Sequence, residues 1–205
     1  GGPARYPGAM LHHASQSPRR RELRARLGLP FGQIDIDVPE VRGADEPAAD
    51  YVLRVAGDKA RAGLQALGGG AETLVLGADT EVVLDGVVFG KPRDEADAMA
   101  MLRTLSGRRH EVVSAVVVVG EGRIGQVVVV TGVTFDTLDE ATIAAYVATG
   151  EPRGKAGAYA IQGGAELFVA RMDGSYSGVV GLPLQQTAAL LRTFGLHPRP
   201  FASDH

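Results

Sequence analysis

Apolar residues along the chain follow two kinds of spacing in turn. Apolar positions three and four residues apart predict helices, whereas alternating apolar positions and short apolar runs predict strands. These patterns predict helices at 19–27, 48–67, 95–105, 139–149 and 184–194, and strands at 10–14, 31–38, 73–78, 81–84, 87–89, 111–119, 125–130 and 133–135. The alternation of the two kinds of element predicts an α/β domain with a large, partly mixed sheet.

Turn residues separate several of these elements. Asp85-Gly86 is a pair typical of a tight hairpin, and three glycines at 68–70 end the long second helix. This interpretation places Asp79 where a buried strand ends. Because α/β sheets bind ligands at the carboxyl ends of their strands, Asp79 is expected to face a ligand crevice.

Length and composition predict one domain. The chain has 205 residues with 45% hydrophobic content, which suffices for a single core. Residues 1–9 carry glycines and prolines without the apolar stretch of a signal peptide, so we expect a disordered lead-in or an expression remnant. The domain is expected at 10–196, with a flexible tail at 197–205.

Charge narrows the classes of partner. The net charge of −3 provides no general attraction for nucleic acid or for an anionic membrane, so phosphate binding has to be local. No apolar run is long enough to cross a bilayer. The chain has no cysteine, which leaves oxygen or imidazole ligands for any metal and fits a cytoplasmic location.

A first group of candidate residues lies between the first strand and the first helix. Ser15 and Ser17 precede three arginines at 19–21, which occupy the first helical turn. The positive end of the helix dipole disfavours cations there, whereas hydroxyls, free N–H groups and guanidinium groups suit a phosphate. A solvated basic helix face with Ser17 as its cap explains the pattern equally well.

A second group joins Asp79-Thr80 to Gly90-Lys91-Pro92 across the predicted hairpin. An acid in a crevice can hold Mg²⁺ or orient water, and a lysine in a rigid turn adds a compact positive charge. A capping aspartate and a solvated lysine are the plainer interpretation.

A third group surrounds Lys155, Tyr159 and Gln162 with small residues, as in a ligand pocket or a tight turn. The phosphate-loop and dinucleotide-binding glycine motifs are missing from the sequence, which gives kinase, GTPase and dehydrogenase functions no support. His12 and His13 would point to opposite faces of a strand, so they are not expected to bind a metal together.

Taken in order, these segments resemble the Maf family of nucleotide pyrophosphatases. The resemblance covers about residues 11–196 and is carried by seven motifs: Ala14-Ser15-x-Ser17-Pro18-Arg19-Arg20, Gly77-Ala78-Asp79-Thr80, Gly90-Lys91-Pro92, Leu105-Ser106-Gly107, Lys155-Ala156-Gly157-Ala158-Tyr159, Ile161-Gln162-Gly163 and Val180-Gly181-Leu182-Pro183. It implies an elongated mixed sheet flanked by helices, with two lobes around a deep cleft, as in the inosine triphosphate pyrophosphatases. It also implies a homodimer, a nucleoside triphosphate substrate and a divalent cation, Mg²⁺ or Mn²⁺.

The resemblance also implies residue roles. Asp79 is expected to be the general base or water-orienting group, and Glu40 and Asp79 to be the metal-side carboxylates. The expected substrate-binding residues are Ser15, Arg19, Arg20, Lys59, Lys91 and Lys155. The expected specificity positions are Arg19, Thr80 and Gln162.

Two branches of the family differ in their substrates. Thr80 after the aspartate and Gln162 before Gly163 resemble the branch that acts on dTTP and UTP, rather than the 7-methyl-GTP branch. A carboxamide at Gln162 can donate to and accept from the O4/N3–H edge of thymine or uracil. One methyl group separates the two bases, so weak discrimination between dTTP and UTP is expected. Modified pyrimidine nucleotides and a nucleotide-sensing regulator of septum formation are the alternatives.

A few positions depart from the family pattern. Pro39 stands where an acidic residue usually precedes Glu40, Gly57-Asp58 replaces an Arg-Glu pair, and Gly154 and Ala160 replace an aspartate and a glycine. The missing carboxylate is expected to lower metal affinity, whereas Asp79, Lys91 and Gln162 are all present.

Overall fold

The computed structural model describes residues 10–201, so the predicted lead-in at 1–9 and the last four residues of the predicted tail lie outside the described part. The strands are β1 (Met10–Ala14), β2 (Gly32–Ile34), β3 (Thr73–Leu84), β4 (Val87–Phe89), β5 (Arg109–Gly120), β6 (Arg123–Phe135) and β7 (Val169–Asp173). The helices are α1 (Pro18–Ala25), α2 (Ala48–Ala66), α3 (Glu95–Leu105), α4 (Glu140–Ala148), α5 (Tyr176–Val180) and α6 (Leu184–Thr193). Two 3₁₀ turns span Ala156–Ala158 and Gly164–Phe168.

The strands form one mixed sheet in the order β2-β1-β3-β5-β6-β7, with β4 paired to β3. β1 is parallel to both of its neighbours, and the remaining pairs are antiparallel. The predicted fold class, a mixed α/β sheet flanked by helices, is therefore confirmed. None of the helices within residues 10–201 has the length and hydropathy needed to cross a bilayer.

The two faces of the sheet carry separate apolar cores. One core packs α2 against β3 and β5, where Val55, Ala56 and Ala60 are fully buried. The larger core lies on the opposite face and joins the sheet to α3, α4 and α6. Because successive residues of a strand point to opposite faces, Asp79 and Glu81 of β3 lie on the α2 face, together with Val75 and Val83.

Glycine lets α2 approach β3 closely. A Cβ atom added to Gly77 would lie 2.2 Å from the carbonyl oxygen of Ala56 and 2.8 Å from the backbone nitrogen of Ala60. Any side chain at this position would therefore push the helix away from the strand. The close approach is what brings Lys59, on the buried side of α2, to the middle of β3.

Two predicted strand breaks are wrong. β3 runs without interruption from 73 to 84, so Asp79 lies in mid-strand, paired with Ala115, and not at a strand end. The crevice arises instead from β1, which pairs with β3 only as far as Leu76 before the chain turns into α1. β6 is likewise one strand, and Gly132 lies within it, where the guanidinium of Arg109 occupies the space that a side chain would fill.

Other differences are smaller. The strand predicted at 31–38 is formed only at 32–34, and the sequence pattern did not predict β7, α5 or the two 3₁₀ turns. The Asp85-Gly86 hairpin is confirmed, since both residues have positive φ angles, 50° and 74°.

Candidate active site

A single cleft of about 540 Å³ collects the predicted site residues. Its walls come from the turn between β1 and α1, from the loop that follows β2, from α2, from the middle of β3 and from residues 154–162. All ten predicted residues line it: Ser15, Arg19, Arg20, Glu40, Lys59, Asp79, Thr80, Lys91, Lys155 and Gln162. The fold therefore brings these distant segments into one cavity, while the individual roles stay predictions.

The turn between β1 and α1 presents hydroxyls and the first turn of a helix to the cleft. The Ser15 hydroxyl accepts a hydrogen bond from the backbone N–H of Ser17, at 3.0 Å, and the Ser17 hydroxyl caps α1 by accepting from the Arg20 N–H, at 3.3 Å. Pro18 opens the helix and needs no N–H partner there. Since both serine hydroxyls act as acceptors inside the turn, each still has a proton to donate to a ligand in the cleft.

Arg20 is held by neutral acceptors. Its Nε donates to the carbonyl oxygen of Gly181, at 2.8 Å, and its Nη2 donates to the Thr80 hydroxyl, at 3.2 Å. The Thr80 hydroxyl also lies 2.8 Å from that of Ser114, which in turn donates to the Gly178 carbonyl. Burial lowers the pKa of Arg20, and the nearby carboxylates oppose this shift. Neutral acceptors orient the guanidinium and leave its charge available for an anion.

Three more cations line the cleft. Lys91 is exposed, Arg19 is half-buried, and neither has an ion-pair partner within residues 10–201. Lys155 donates to the carbonyl oxygen of Glu151, at 2.8 Å. Burial lowers the pKa of Lys155, and the adjacent charge of Arg19 lowers it further. Two cations that repel each other in this way favour an anion between them.

Lys59 faces carboxylates. Its Nζ lies 3.0 Å from Oε1 of Glu40 and 3.4 Å from Oδ1 of Asp79, and it donates to the Ala78 carbonyl at 3.2 Å. Although burial acts to raise the pKa of Glu40, the charge and hydrogen bond of Lys59 lower it overall. Burial raises the pKa of Asp79 despite the opposing charges of Lys59 and Arg20. Asp79 is 5% exposed, and its Oδ2 has no hydrogen-bond partner among the described residues.

Similarity to known proteins agrees with this geometry. A family model described as "Maf-like protein" matches residues 11–194. The chain belongs to the Maf family. The resemblance drawn from the sequence motifs is thus confirmed.

Named relatives cover nearly the whole chain. A protein of Xanthomonas euvesicatoria named "dTTP/UTP pyrophosphatase" is 59% identical over 190 residues, which are 92% of this chain and 100% of that protein. A protein of Xylella fastidiosa named "Nucleoside triphosphate pyrophosphatase" is 59% identical over 186 residues, 90% of this chain and 98% of its own. Among solved structures, the Ham1 protein of Staphylococcus aureus aligns with a TM-score of 0.45 and 16% identity, over 62% of this chain and 71% of its own.

The Maf motif around Lys155 forms another wall of the cleft and packs against β3. The Gly157 N–H donates to the Gly90 carbonyl, at 3.2 Å, which joins this segment to the Lys91 turn. A Cβ atom added to Gly157, whose φ is +70°, would lie 2.7 Å from a methyl group of Val82, so glycine is required for the close contact. Gln162 follows on this wall with an exposed side chain. The two loops, joined by this hydrogen bond, thus line the same cleft as Asp79.

Sequence reasoning missed two acidic members of this Maf-family cleft, the exposed Asp37 and the buried Glu81. Glu81 lies two residues after Asp79 on the same face of β3, is 9% exposed, and lines the cleft. Burial raises the pKa of Glu81 to about 8, and the charges of Asp79 and Glu40 contribute to the shift. The available signal was a charged residue inside an otherwise apolar strand, since such residues are rarely buried without a partner.

This Maf-family cleft offers few protein groups to a metal ion. Within residues 10–201, no cluster of three or more histidine, aspartate or glutamate side chains is arranged to hold a metal ion. The carboxylates of Glu40, Asp79 and Glu81 nevertheless line the cleft, and carboxylate oxygens are the ligands that Mg²⁺ and Mn²⁺ prefer. A cation bound here would therefore need ligands from the substrate or from water.

Proposed function

We propose that the chain hydrolyses dTTP and UTP to the nucleoside monophosphate and pyrophosphate. The observation that carries the proposal is the separation of charge in the cleft: carboxylates lie on the α2 face of β3, and Arg19, Arg20, Lys91 and Lys155 lie around the remaining walls. Such a cavity suits a triphosphate and an attacking water. The names of the relatives in Xanthomonas and Xylella support the same activity.

The cationic walls bind and orient the triphosphate. Guanidinium groups bind phosphate oxygens in pairs, and the helix N-terminus with its serine hydroxyls adds N–H and O–H donors. Arg20 keeps a fixed orientation because Gly181 and Thr80 hold it. These groups stabilise the negative charge that spreads over the phosphoryl oxygens as pyrophosphate leaves.

Asp79 accepts the proton of the attacking water. One of its oxygens faces Lys59 and the other has no partner among the described residues, so the free oxygen can bind the water. The water attacks the α-phosphorus, and the bond from that phosphorus to the bridging oxygen of pyrophosphate breaks. A carboxylate of raised pKa accepts a proton better than an exposed one at the same pH.

The oxygen donors of the cleft fit a divalent cation. Asp79 and Glu40 would hold Mg²⁺ or Mn²⁺, because both carboxylates line the cleft and their oxygens are of the kind that these ions prefer. A bound cation would neutralise phosphoryl charge. Glu40 contacts Lys59 at 3.0 Å, so this lysine keeps the two acids close together.

Gln162 is the group expected to recognise the base. Its carboxamide is exposed in the cleft and can both donate and accept, as the O4/N3–H edge of uracil and thymine requires. Thr80 acts differently from a base-contacting residue, because its hydroxyl already bonds to Arg20 and Ser114. We therefore assign Thr80 an indirect effect on specificity, through the position of Arg20.

The homodimer and the cytoplasmic location implied by the family resemblance stay predictions. Size measurement by light scattering tests the first, and cell fractionation tests the second.

A substrate panel tests the proposed activity. Pyrophosphate release is measured with Mg²⁺ or Mn²⁺ for the common nucleoside triphosphates, 7-methyl-GTP, 5-methyl-UTP and pseudouridine triphosphate. The highest kcat/KM is expected for dTTP and UTP. A preference for 7-methyl-GTP would overturn the assigned branch, and a higher rate on the modified pyrimidines would change the assigned substrate. Tight nucleotide binding without pyrophosphate release would support a sensor.

A further inference from the structure

Glu81 occupies a costly position for a carboxylate. It lies in β3 between Thr80 and Val82, and the α2 face that it shares with Asp79 is otherwise lined by small and apolar side chains. With 9% of its surface exposed, it has lost most of its hydration. Burying a charged carboxylate costs several kcal/mol unless a partner compensates.

The protein provides Glu81 with little compensation. Within residues 10–201, no lysine or arginine lies within ion-pair distance of it, and Lys59 contacts Glu40 and Asp79 instead. Its Oε2 is buried and has no hydrogen-bond partner there, and the same is true of Oδ2 of Asp79. Two unpartnered carboxylate oxygens thus occur two residues apart on one face of one strand, and both side chains line the cleft.

We propose that Glu81, together with Asp79, is a ligand of the divalent cation. This proposal rests on the proposed function and assigns the second protein carboxylate of its metal site to Glu81 rather than to Glu40, whose carboxylate is paired with Lys59 at 3.0 Å. Two carboxylates from the protein are what Mg²⁺ commonly uses when phosphate oxygens and water supply the remaining ligands. It also explains why the described residues hold no cluster of three acidic or histidine groups suited to a metal: the triphosphate completes the coordination.

The role differs from one in which Glu81 only supports the fold. A structural carboxylate would affect stability and leave metal affinity unchanged. A metal ligand would change metal affinity and leave nucleotide binding without metal unchanged. Metal affinity is therefore the deciding measurement.

The test is a titration with Mn²⁺ followed by electron paramagnetic resonance. Free Mn²⁺ is counted in the presence of the intact protein, with and without dUTP whose α,β-bridging oxygen is replaced by nitrogen, which prevents hydrolysis. Glu81→Gln keeps the shape of the side chain and removes the charge. Its Kd for Mn²⁺ with the analogue present is expected to rise about tenfold or more, equivalent to about 1.4 kcal/mol.

Glu111→Gln is the matched control. Glu111 is exposed on the neighbouring strand, opposite Val83, and does not line the cleft. Its substitution is expected to leave the Mn²⁺ Kd unchanged, which separates ligation from a general effect of charge. If Glu81→Gln does not fold, Glu81→Asp is used. Its affinity for Mn²⁺ is expected to lie between that of wild type and that of a site without the Glu81 carboxylate.

The outcomes separate this proposal from the proposed function. Wild-type Mn²⁺ affinity in folded Glu81→Gln, or in folded Glu81→Asp where that variant is used, would overturn the role of Glu81 even if the protein hydrolyses dTTP and UTP. Conversely, weakened Mn²⁺ binding in the variant, with no hydrolysis of any nucleotide by wild type, would support the ligand role and refute the pyrophosphatase activity.

Discussion

Lys59 Nζ lies 3.4 Å from Oδ1 of Asp79, while Oδ2 of the same carboxylate is buried without a partner among the described residues. One oxygen of the acid is therefore held by the protein and the other remains available for water or a metal. The relation depends on close packing of α2 on β3, since Lys59 belongs to the helix and Asp79 to the strand. Two of the predictions below test this arrangement.

Asp79→Asn is expected to lower kcat by about 10²–10⁴-fold, because the carboxamide keeps the shape of the side chain and cannot accept a proton. KM for dTTP is expected to change much less, since the cations that bind the triphosphate remain. Steady-state kinetics on dTTP and UTP measure both parameters. Asp45→Asn, at an exposed position before α2, is the control. A wild-type kcat in the Asp79 variant would remove this residue from the mechanism.

Gln162→Glu is expected to lower kcat/KM for dTTP and UTP alike by about tenfold or more. A carboxylate cannot donate a hydrogen bond, so the O4 oxygen of the base would lose its partner. The ratio between the two substrates is expected to stay close to its wild-type value, since their difference is a methyl group. Gln185→Glu, exposed on α6 outside the cleft, controls for the added charge. Unchanged kcat/KM for both nucleotides would show that Gln162 does not contact the base.

Gly77→Ala is expected to lower both stability and activity. The new methyl group would meet backbone atoms of Ala56 and Ala60, which cannot rotate away, so α2 has to shift and take Lys59 with it. Overpacking of this kind costs about 1–3 kcal/mol, or a fall in Tm of about 3–10 °C for a domain of this size. Thermal unfolding and kcat measure the two effects.

Gly43→Ala is the control for Gly77→Ala. A Cβ atom at Gly43 comes no closer than 3.4 Å to another residue, the Cβ of Glu46, which is an ordinary contact. Its Tm and kcat are expected to match those of wild type. A Gly77→Ala protein with wild-type Tm and kcat would contradict the claim that close α2–β3 packing positions Lys59.

The local signals of the sequence were sufficient for most helices and for the residues of the cleft. Asp139 caps α4 and Asp85-Gly86 forms the tight hairpin, as their residue types predict, because these features depend on a few neighbouring residues. The site residues were located through motif order, and the fold then placed them in one cavity.

What the sequence missed depends on contacts between distant segments. β3 was divided at Asp79 because acidic residues interrupt its apolar run, yet the strand continues with Asp79 and Glu81 facing the cleft. The predicted break between 130 and 133 is absent from β6, where Gly132 makes room for Arg109 of the adjacent strand. Glu81 was missed because the pairing of its carboxylate can be judged only from the packed structure.

Two buried histidines predict a loss of stability in mild acid. Burial, together with the charges of Arg24 and Arg20, lowers the pKa of His13 to about 3, and burial lowers the pKa of His110 to about 4. His13 is 0% exposed and both of its ring nitrogens lack a partner among the described residues, while His110 Nε2 lies 2.6 Å from the Tyr159 hydroxyl. Both rings are therefore neutral in the folded protein at pH 5.

The unfolded chain takes up these two protons at about pH 6.5, so the stabilisation by neutral histidine is complete above that pH and is lost as the pH falls toward 4 and 3. Each histidine is expected to cost about 2 kcal/mol between pH 7 and 5. The raised pKa of Glu81 acts in the opposite direction over part of this range, since the folded state then holds the extra proton. The contribution of a histidine is therefore obtained by comparing the free energy of unfolding of wild type with that of a variant that lacks this histidine.

His13→Leu removes one titrating ring at similar volume. Urea unfolding of wild type and variant at pH 7, 6 and 5 gives the free energy of unfolding of each, and the difference is expected to shift in favour of the variant by about 2 kcal/mol as the pH falls from 7 to 5. His110→Gln, which can keep a hydrogen bond to Tyr159, is expected to shift in the same direction. Parallel curves for wild type and His13→Leu would mean that His13 binds its proton equally well in the folded and unfolded states, contrary to its burial among cationic neighbours.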